Sequence, residues 1–196
     1  MRILAISDIT AKYYFDYYTP GKLDSFDLIL ACGDLHQEYL EFLVTMSNKP
    51  VFYVHGNHDE GYDQAPPGGC TCIDDMIYVY QGVRILGLGG SYRYRDGKYM
   101  YTEAQMRRRI RRLWFQLRKY GGFDILVTHA PARHNNDFDN LSHRGFDCFV
   151  DLLEKYKPKY FLHGHIHQTY GVHIPQKTIR GDTTIINSYD HYEFVF

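Results

Sequence analysis

Apolar runs too short to be helices recur along this chain, and five of them stop at an aspartate, asparagine or histidine. The runs cover residues 2–7, 27–32, 50–55, 83–88, 124–128 and 159–163. Near-continuous hydrophobicity rich in β-branched and aromatic side chains predicts strands covered on both faces. Between them the spacing predicts helices over 36–46, 102–119 and 146–156. Alternating strands and helices imply βαβ units and an α/β sheet. The pattern changes after Tyr170. Short strands over 168–174, 178–180, 183–186 and 191–196 predict an antiparallel meander that closes the fold, and 60–71, with Pro66-Pro67-Gly68-Gly69, predicts the one long irregular connection.

The residues that end the strands carry the chemistry. They are Asp8, Gly33-Asp34, Gly56-Asn57-His58-Asp59, His129 and Gly164-His165-Ile166-His167. In an open α/β sheet the carboxyl ends of the strands lie along one edge, where ligands bind. Five distant segments therefore deliver Asp, Asn and His side chains to one place. Glycine before Asp34, Asn57 and His165 predicts a sharp positive-φ exit that aims the next side chain into the crevice. The spacing of His165 and His167 sends both rings to one face if the segment is extended. Mixed carboxylate, amide and imidazole ligands suit Mn, Mg, Zn, Fe or Ni. A shared carboxylate can hold two ions about 3.5–4 Å apart, the arrangement that clamps an in-line phosphoryl displacement. His55 and His163, one residue inside their strands, read as hydrogen-bonded support for that site.

Composition bounds the alternatives. With 196 residues, 22 Lys+Arg against 23 Asp+Glu and a net charge of -1, the chain reads as one domain, 1–196, without the basic excess of a dedicated nucleic-acid or membrane-surface binder. No apolar run approaches the roughly 20 residues of a membrane span. Four cysteines form no CxxC pair and read as reduced thiols of a cytoplasmic protein.

These motifs resemble the calcineurin-like metallophosphoesterase family along nearly the whole chain. The family pattern is Asp-x-His, Gly-Asp, Gly-Asn-His-Asp/Glu, a His after a strand, and Gly-His-x-His. The second to fifth elements stand at Gly33-Asp34, Gly56-Asn57-His58-Asp59, Thr128-His129 and Gly164-His165-Ile166-His167, with Ile186-Asn187-Ser188 trailing. The resemblance implies a four-layer α/β/β/α sandwich of two mostly mixed sheets. It implies two divalent transition-metal ions, Mn foremost with Fe, Zn, Ni or Mg as alternatives, and hydrolysis of a phosphate mono- or diester. It assigns Asp8 and His167 to the first metal, Asp34 to the bridge, and Asn57, His129 and His165 to the second metal. His58 would protonate the leaving oxygen or stabilise charge on the phosphoryl group. Two departures stand out: Thr10 replaces the first-motif histidine, and Gln37 occupies the position where many relatives place an aspartate that orients the catalytic histidine.

Other features bear on substrate and partners. The run Tyr13-Tyr14-Phe15-Asp16-Tyr17-Tyr18 follows the altered motif, either packing under it or standing at the site mouth to stack a nucleotide base or aryl leaving group. Arg93, Arg95, His134, His143 and Arg144 read as loop residues, mostly solvated, within reach of phosphate. The 102–119 helix carries Arg107, Arg108, Arg109, Arg111, Arg112, Arg118 and Lys119, with Met106, Ile110, Leu113, Trp114 and Leu117 as one buried stripe and the arginines on its remaining, solvated face. A phosphate-ester substrate is the leading partner, no membrane is expected, and nucleic acid and oligomeric state stay open. The competing reading is a non-catalytic interaction module on the same fold, which Thr10 and Gln37 favour and the intact later motifs oppose.

Overall fold

Every strand predicted within the first 163 residues forms. The computed structural model describes residues 1–168 and 174–196. In chain order the elements are β1 (Arg2–Ser7), β2 (Leu28–Ala31), α1 (Gln37–Ser47), β3 (Val51–Tyr53), a 3₁₀ turn (Asp59–Asp63), β4 (Thr71–Cys72), β5 (Met76–Tyr80) and β6 (Val83–Leu88). They continue with β7 (Ser91–Tyr92), β8 (Met100–Tyr101), α2 (Glu103–Arg112), α3 (Trp114–Tyr120), β9 (Ile125–Thr128), α4 (Asp147–Tyr156), β10 (Tyr160–His163), β11 (Lys177–Arg180), β12 (Thr183–Asn187) and β13 (Asp190–Val195).

Two mixed sheets result. One has the order β13-β1-β2-β3-β4, the other β11-β12-β10-β9-β6-β5. In the first, β1 to β4 run parallel and β13 runs antiparallel to β1. Alternate side chains of each strand serve different layers, because strand side chains alternate faces. From β1, Ile3 and Ala5 enter the core between the sheets, where they join Leu30, Ile85, Ile125 and Leu162. Leu4 and Ile6 point the other way, into a core capped by Tyr39, Leu40 and Leu43 of α1. On the far side of the second sheet, Leu86 and Leu126 meet Met106 and Leu117 of α2 and α3 and Phe149 and Leu152 of α4. These three cores separate four layers, α/β/β/α. Burial on both faces explains why the strands read as unbroken apolar runs.

The structure corrects the sequence reading at several elements. The 102–119 helix starts at Thr102 with a capping box to Gln105, but it breaks at Leu113 into α2 and α3. The break turns Trp114 and Phe115 outward, 63% and 67% exposed, so Trp114 leaves the predicted stripe. Arg109 is buried instead of solvated. Its guanidinium donates to Asp75 Oδ1 (2.9 Å) and the Gly89 carbonyl (2.7 Å) and lies over the Tyr101 ring.

The C-terminal strands are not one meander. β11 and β12 form an antiparallel pair in the second sheet, β12 runs parallel to β10, and β13 crosses to the first sheet. The 168–174 strand lies largely outside the described residues. The 60–71 connection contains a 3₁₀ turn, and β4, β5, β7 and β8 were not predicted, three of them being two-residue strands too short to show a period.

Part of the aromatic run packs against the outer face of the first sheet, while Tyr13 and Tyr17 stay exposed. Tyr14 is buried there and Phe15 and Tyr18 meet Phe42 of α1 edge to face. Among the described residues no helix is long and apolar enough to cross a membrane.

Phe149 is fully buried between α4 and the second sheet. Its replacement by Ala is expected to lower stability by about 3–5 kcal/mol, since the outer core loses a ring and keeps a cavity. Urea unfolding followed by circular dichroism measures that loss as a lower midpoint at unchanged slope.

Candidate metal centre

The strand ends of both sheets meet at a cavity of about 370 Å³ lined by Asp8, Asp34, Asn57, His58, His165 and His167. His129 lies beneath it, fully buried. All seven sequence-predicted residues are therefore brought together. The predicted reason for their aim needs revision. Among the strand-end glycines, Gly33 adopts positive φ, while the functional residues Asp8 (φ 69°), Asp34 (φ 55°) and His165 (φ 66°) adopt it themselves. Gly56 and Gly164 are needed for space. A Cβ on Gly56 would lie 2.0 Å from Asp34 Oδ1, and one on Gly164 would lie 1.9 Å from Ser7 Oγ and 2.6 Å from Asp8 Oδ2. Positive φ at His165, not extended parity, aims that ring, and His167 turns back to Asp8.

Two backbone carbonyls set the ring tautomers. His129 Nδ1 lies 2.8 Å from the Cys32 carbonyl, and His165 Nε2 lies 2.6 Å from the Ser142 carbonyl. A carbonyl only accepts, so each of these nitrogens carries the proton and the other nitrogen of the neutral ring presents a lone pair. Those lone-pair atoms face each other: His129 Nε2 and His165 Nδ1 are 3.1 Å apart. Asn57 Oδ1 stands 3.0 Å and Asp34 Oδ2 3.3 Å from the same His129 Nε2. Four electron-rich atoms thus converge around one point. A divalent cation of the kind that takes oxygen and imidazole donors fits that set.

Electrostatics agree. Burial pulls the His129 imidazole down, but the Asp34 carboxylate outweighs it and raises His129 to about 9. Burial also opposes ionisation of Asp34, yet His129 and the His58 backbone N–H hold that carboxyl well below the usual range. His165, desolvated and facing a charged His129, falls to about 3. The cluster therefore demands one positive charge among its lone pairs. A proton on His129 meets that demand in part; a cation meets it for all four atoms.

The supporting bonds come from the backbone. Asp59 Oδ2 accepts the N–H groups of Asp34 (2.8 Å) and Gly56 (2.7 Å), and Asp34 Oδ1 accepts the His58 N–H (2.7 Å). Both carboxylate oxygens of Asp8 accept the His165 N–H, and His167 Nε2 lies 3.2 Å from Asp8 Oδ1. Asn187 braces the last motif by donating to the Ile166 carbonyl (2.8 Å). Burial pushes His163 down to about 4, which keeps it neutral beneath the site.

Both departures from the family pattern are visible. Thr10 is not among the cavity-lining residues, so Asp8 and His167 have no third side chain from the first motif. Gln37 donates to Glu41 Oε1 (2.8 Å), one turn along α1, and so does not orient His58. The aromatic run contributes nothing to the lining. Tyr94, His36, Ser142 and His143 line the cavity instead. Of these, only His143 is singled out by the sequence; His36 is the N-cap of α1, and Tyr94 and Ser142 sit in loops whose path no periodicity reveals.

A model of the calcineurin-like phosphoesterase family matches residues 1–169. The chain belongs to that family. Among curated relatives it is 26% identical over 187 residues to UPF0046 protein C25E10.12 of Caenorhabditis elegans, covering 80% of this chain and 62% of that one. It is 24% identical to UPF0046 protein K07C11.7 of the same organism, covering 96% and 69%. The chain thus spans about two thirds of the length of the curated relatives it matches. Among solved structures it is similar to TT1561 of Thermus thermophilus (TM-score 0.60, 15% identity, 96% of this chain and 89% of that one). It is also similar to a 5'-nucleotidase from Candida albicans (TM-score 0.56, 14% identity, 95% and 45%). These likenesses establish the metallo-dependent phosphatase fold.

Gly56→Ala tests the packing of the centre. The added methyl must displace Asp34, and the expected cost is about 1–3 kcal/mol of stability together with a loss of divalent-cation affinity of about tenfold or more. Calorimetric titration and urea unfolding on the same sample measure both.

Proposed function

We propose that this chain is a metal-dependent phosphoric ester hydrolase, acting on a phosphate mono- or diester such as a nucleotide or aryl ester. The observation that carries the reading is the convergence of His129 Nε2, His165 Nδ1, Asn57 Oδ1 and Asp34 Oδ2 with both ring tautomers set by carbonyls. In this reading those four residues hold one divalent transition-metal ion, Asp8 and His167 hold a second, and Asp34 is shared. Mn is the leading candidate among the ions that accept mixed carboxylate, amide and imidazole donors. When bound, such a pair supplies a nucleophile at neutral pH and neutralises charge on the phosphoryl oxygens.

The chain's own residues then have distinct tasks. Asp34 stays ionised because His129 and the His58 N–H stabilise its charge. His58 is exposed on the cavity wall, with its backbone tied to Asp34, and is placed to hold a proton for the leaving oxygen or to stabilise charge on the phosphoryl group. Residues 1–196 act in this reading as one metallophosphoesterase domain. Four free cysteines support a reducing, cytoplasmic setting.

Hydrolysis of an aryl phosphodiester and an aryl phosphomonoester with Mn²⁺ tests the proposal. Asp34→Ala is expected to abolish turnover, and His58→Ala to lower kcat by about 10²–10⁴ with the fold intact. Inactivity of the wild type across several metals and both esters would favour the interaction module, the reading suggested by the absence of Thr10 from the cavity wall.

The two metal positions should differ in strength. Calorimetry is expected to show a tighter Mn²⁺ step that Asn57→Ala removes and a weaker step that His167→Ala removes. Two equally tight steps would contradict this assignment.

A further inference from the structure

A second group of ligand-bearing side chains lies beyond the cavity and shares no residue with it. His55, Cys72 and Asp74 bring one nitrogen, one sulfur and one oxygen within 4.8 Å of one another. His55 Nδ1 is 2.7 Å from Asp74 Oδ2 and 3.8 Å from Cys72 Sγ. Each member is held by a separate constraint. β3 and β4 pair in parallel with Tyr53 opposite Cys72, which places the thiol beside the end of β3. Asp74 is anchored by the Gly89 N–H on Oδ1 (2.6 Å) and the His55 N–H on Oδ2 (3.3 Å). The His55 ring is stacked on Tyr99, with centroids 4.3 Å apart and planes within 14°. The His55 and Asp74 side chains are only 12% and 16% exposed.

A histidine-aspartate hydrogen bond alone does not account for this arrangement. The Cys72 thiol already has the Tyr53 side chain as a hydrogen-bond partner, yet it stands 3.8 Å from a ring nitrogen committed to Asp74. Sulfur, nitrogen and oxygen thus converge without one hydrogen bond joining all three. A cation bound by all three resolves the mismatch. Zinc bonds of about 2.0–2.1 Å to nitrogen, 2.0–2.2 Å to oxygen and 2.3 Å to sulfur in tetrahedral geometry imply ligand-ligand edges of roughly 3.3–3.6 Å. The nitrogen-sulfur edge is already close to that. The nitrogen-oxygen edge is shortened by the shared proton, and loss of that proton opens it.

We propose that His55, Cys72 and Asp74 form a separate, thiolate-containing binding site for a zinc-class divalent cation, with a fourth position for water or another small ligand. Binding releases the Cys72 thiol proton, and the His55 Nδ1 proton either leaves a doubly protonated ring or shifts to Nε2 of a neutral one. The ring therefore binds through Nδ1 as the neutral Nε2–H tautomer, and no covalent bond between heavy atoms breaks. A thiolate ligand selects zinc over Mn or Mg, whereas the Asp34 cluster, two imidazole nitrogens and two oxygens, accepts the harder ions as well as zinc. The bound ion clips β4 and the Gly89 turn to the end of β3, two residues before Asn57.

Cobalt replaces zinc in such sites and reports thiolate ligation by a near-ultraviolet sulfur-to-cobalt charge-transfer band. Co²⁺ titrated into the metal-free full chain should produce that band in the wild type. It should persist in Asp34→Ala, which removes the main centre, and in Cys70→Ser, and disappear in Cys72→Ser. In a second measurement on the wild type alone, excess Zn²⁺ should slow alkylation of Cys72, read by mass spectrometry, by about tenfold or more, and a chelator should restore it. No band in the wild type, its survival in Cys72→Ser, its loss in Cys70→Ser, or unchanged alkylation would overturn the proposal. Loss of the band in a folded Asp34→Ala protein would overturn it by tying the signal to the main centre.

Discussion

Lone-pair atoms held about 3 Å apart repel unless positive charge lies among them, and the centre of this molecule is built on that condition. His129 Nε2, His165 Nδ1, Asn57 Oδ1 and Asp34 Oδ2 come from the ends of strands in both sheets. Their rings cannot relax by exchanging tautomers, because the Cys32 and Ser142 carbonyls hold the protons on the far nitrogens. Unless His129 holds a second proton on Nε2, repulsion at one point is built into the folded chain; a cation replaces that proton and turns the repulsion into attraction for all four atoms. Everything around the point serves to keep the four atoms from moving apart.

That service has a measurable cost. Asp8, Asp34 and His165 adopt positive φ, a conformation disfavoured by about 1–3 kcal/mol at a non-glycine residue. It persists because the neighbouring backbone determines it from several sides. Asp59 ties the Asp34 and Gly56 N–H groups together, Asp8 receives the His165 N–H, and the Gly56 and Gly164 positions leave no room for a methyl group. Behind these contacts one apolar core fixes the two sheets against each other, and two outer cores fix the helices onto them. Rigid layers on both sides hold the strained loops in place.

Much of this was legible from residue pattern alone. The strands announced themselves because burial on both faces leaves no polar alternation, and the site residues because each follows such a strand at once. What escaped was decided by partners distant in sequence. Trp114 has the spacing of a core residue, but the helix break at Leu113 turns it outward. Arg109 has the look of a surface charge, but Asp75, far earlier in the chain, meets it under the helix. Glycine seemed to supply the turns, whereas at Gly56 and Gly164 its role is to admit another residue's carboxylate. The cavity wall escaped because Tyr94 and Ser142 sit in irregular loops. Of the two readings of the aromatic run, packing is the one the structure bears out, since nearness in sequence to Asp8 does not imply nearness to the cavity.

Replacement of the first-motif histidine by Thr10 leaves an asymmetric centre, with four converging donors on one side and the Asp8-His167 pair on the other. The four donors are the side on which the proposed chemistry depends. Crystals of the full chain grown with Mn²⁺ and measured at an energy where manganese scatters anomalously test it most directly. An ion held by the four donors gives an anomalous peak within about 2.0–2.4 Å of His129, His165, Asn57 and Asp34. A map with no peak there, or one only beside Asp8 and His167, would contradict that placement.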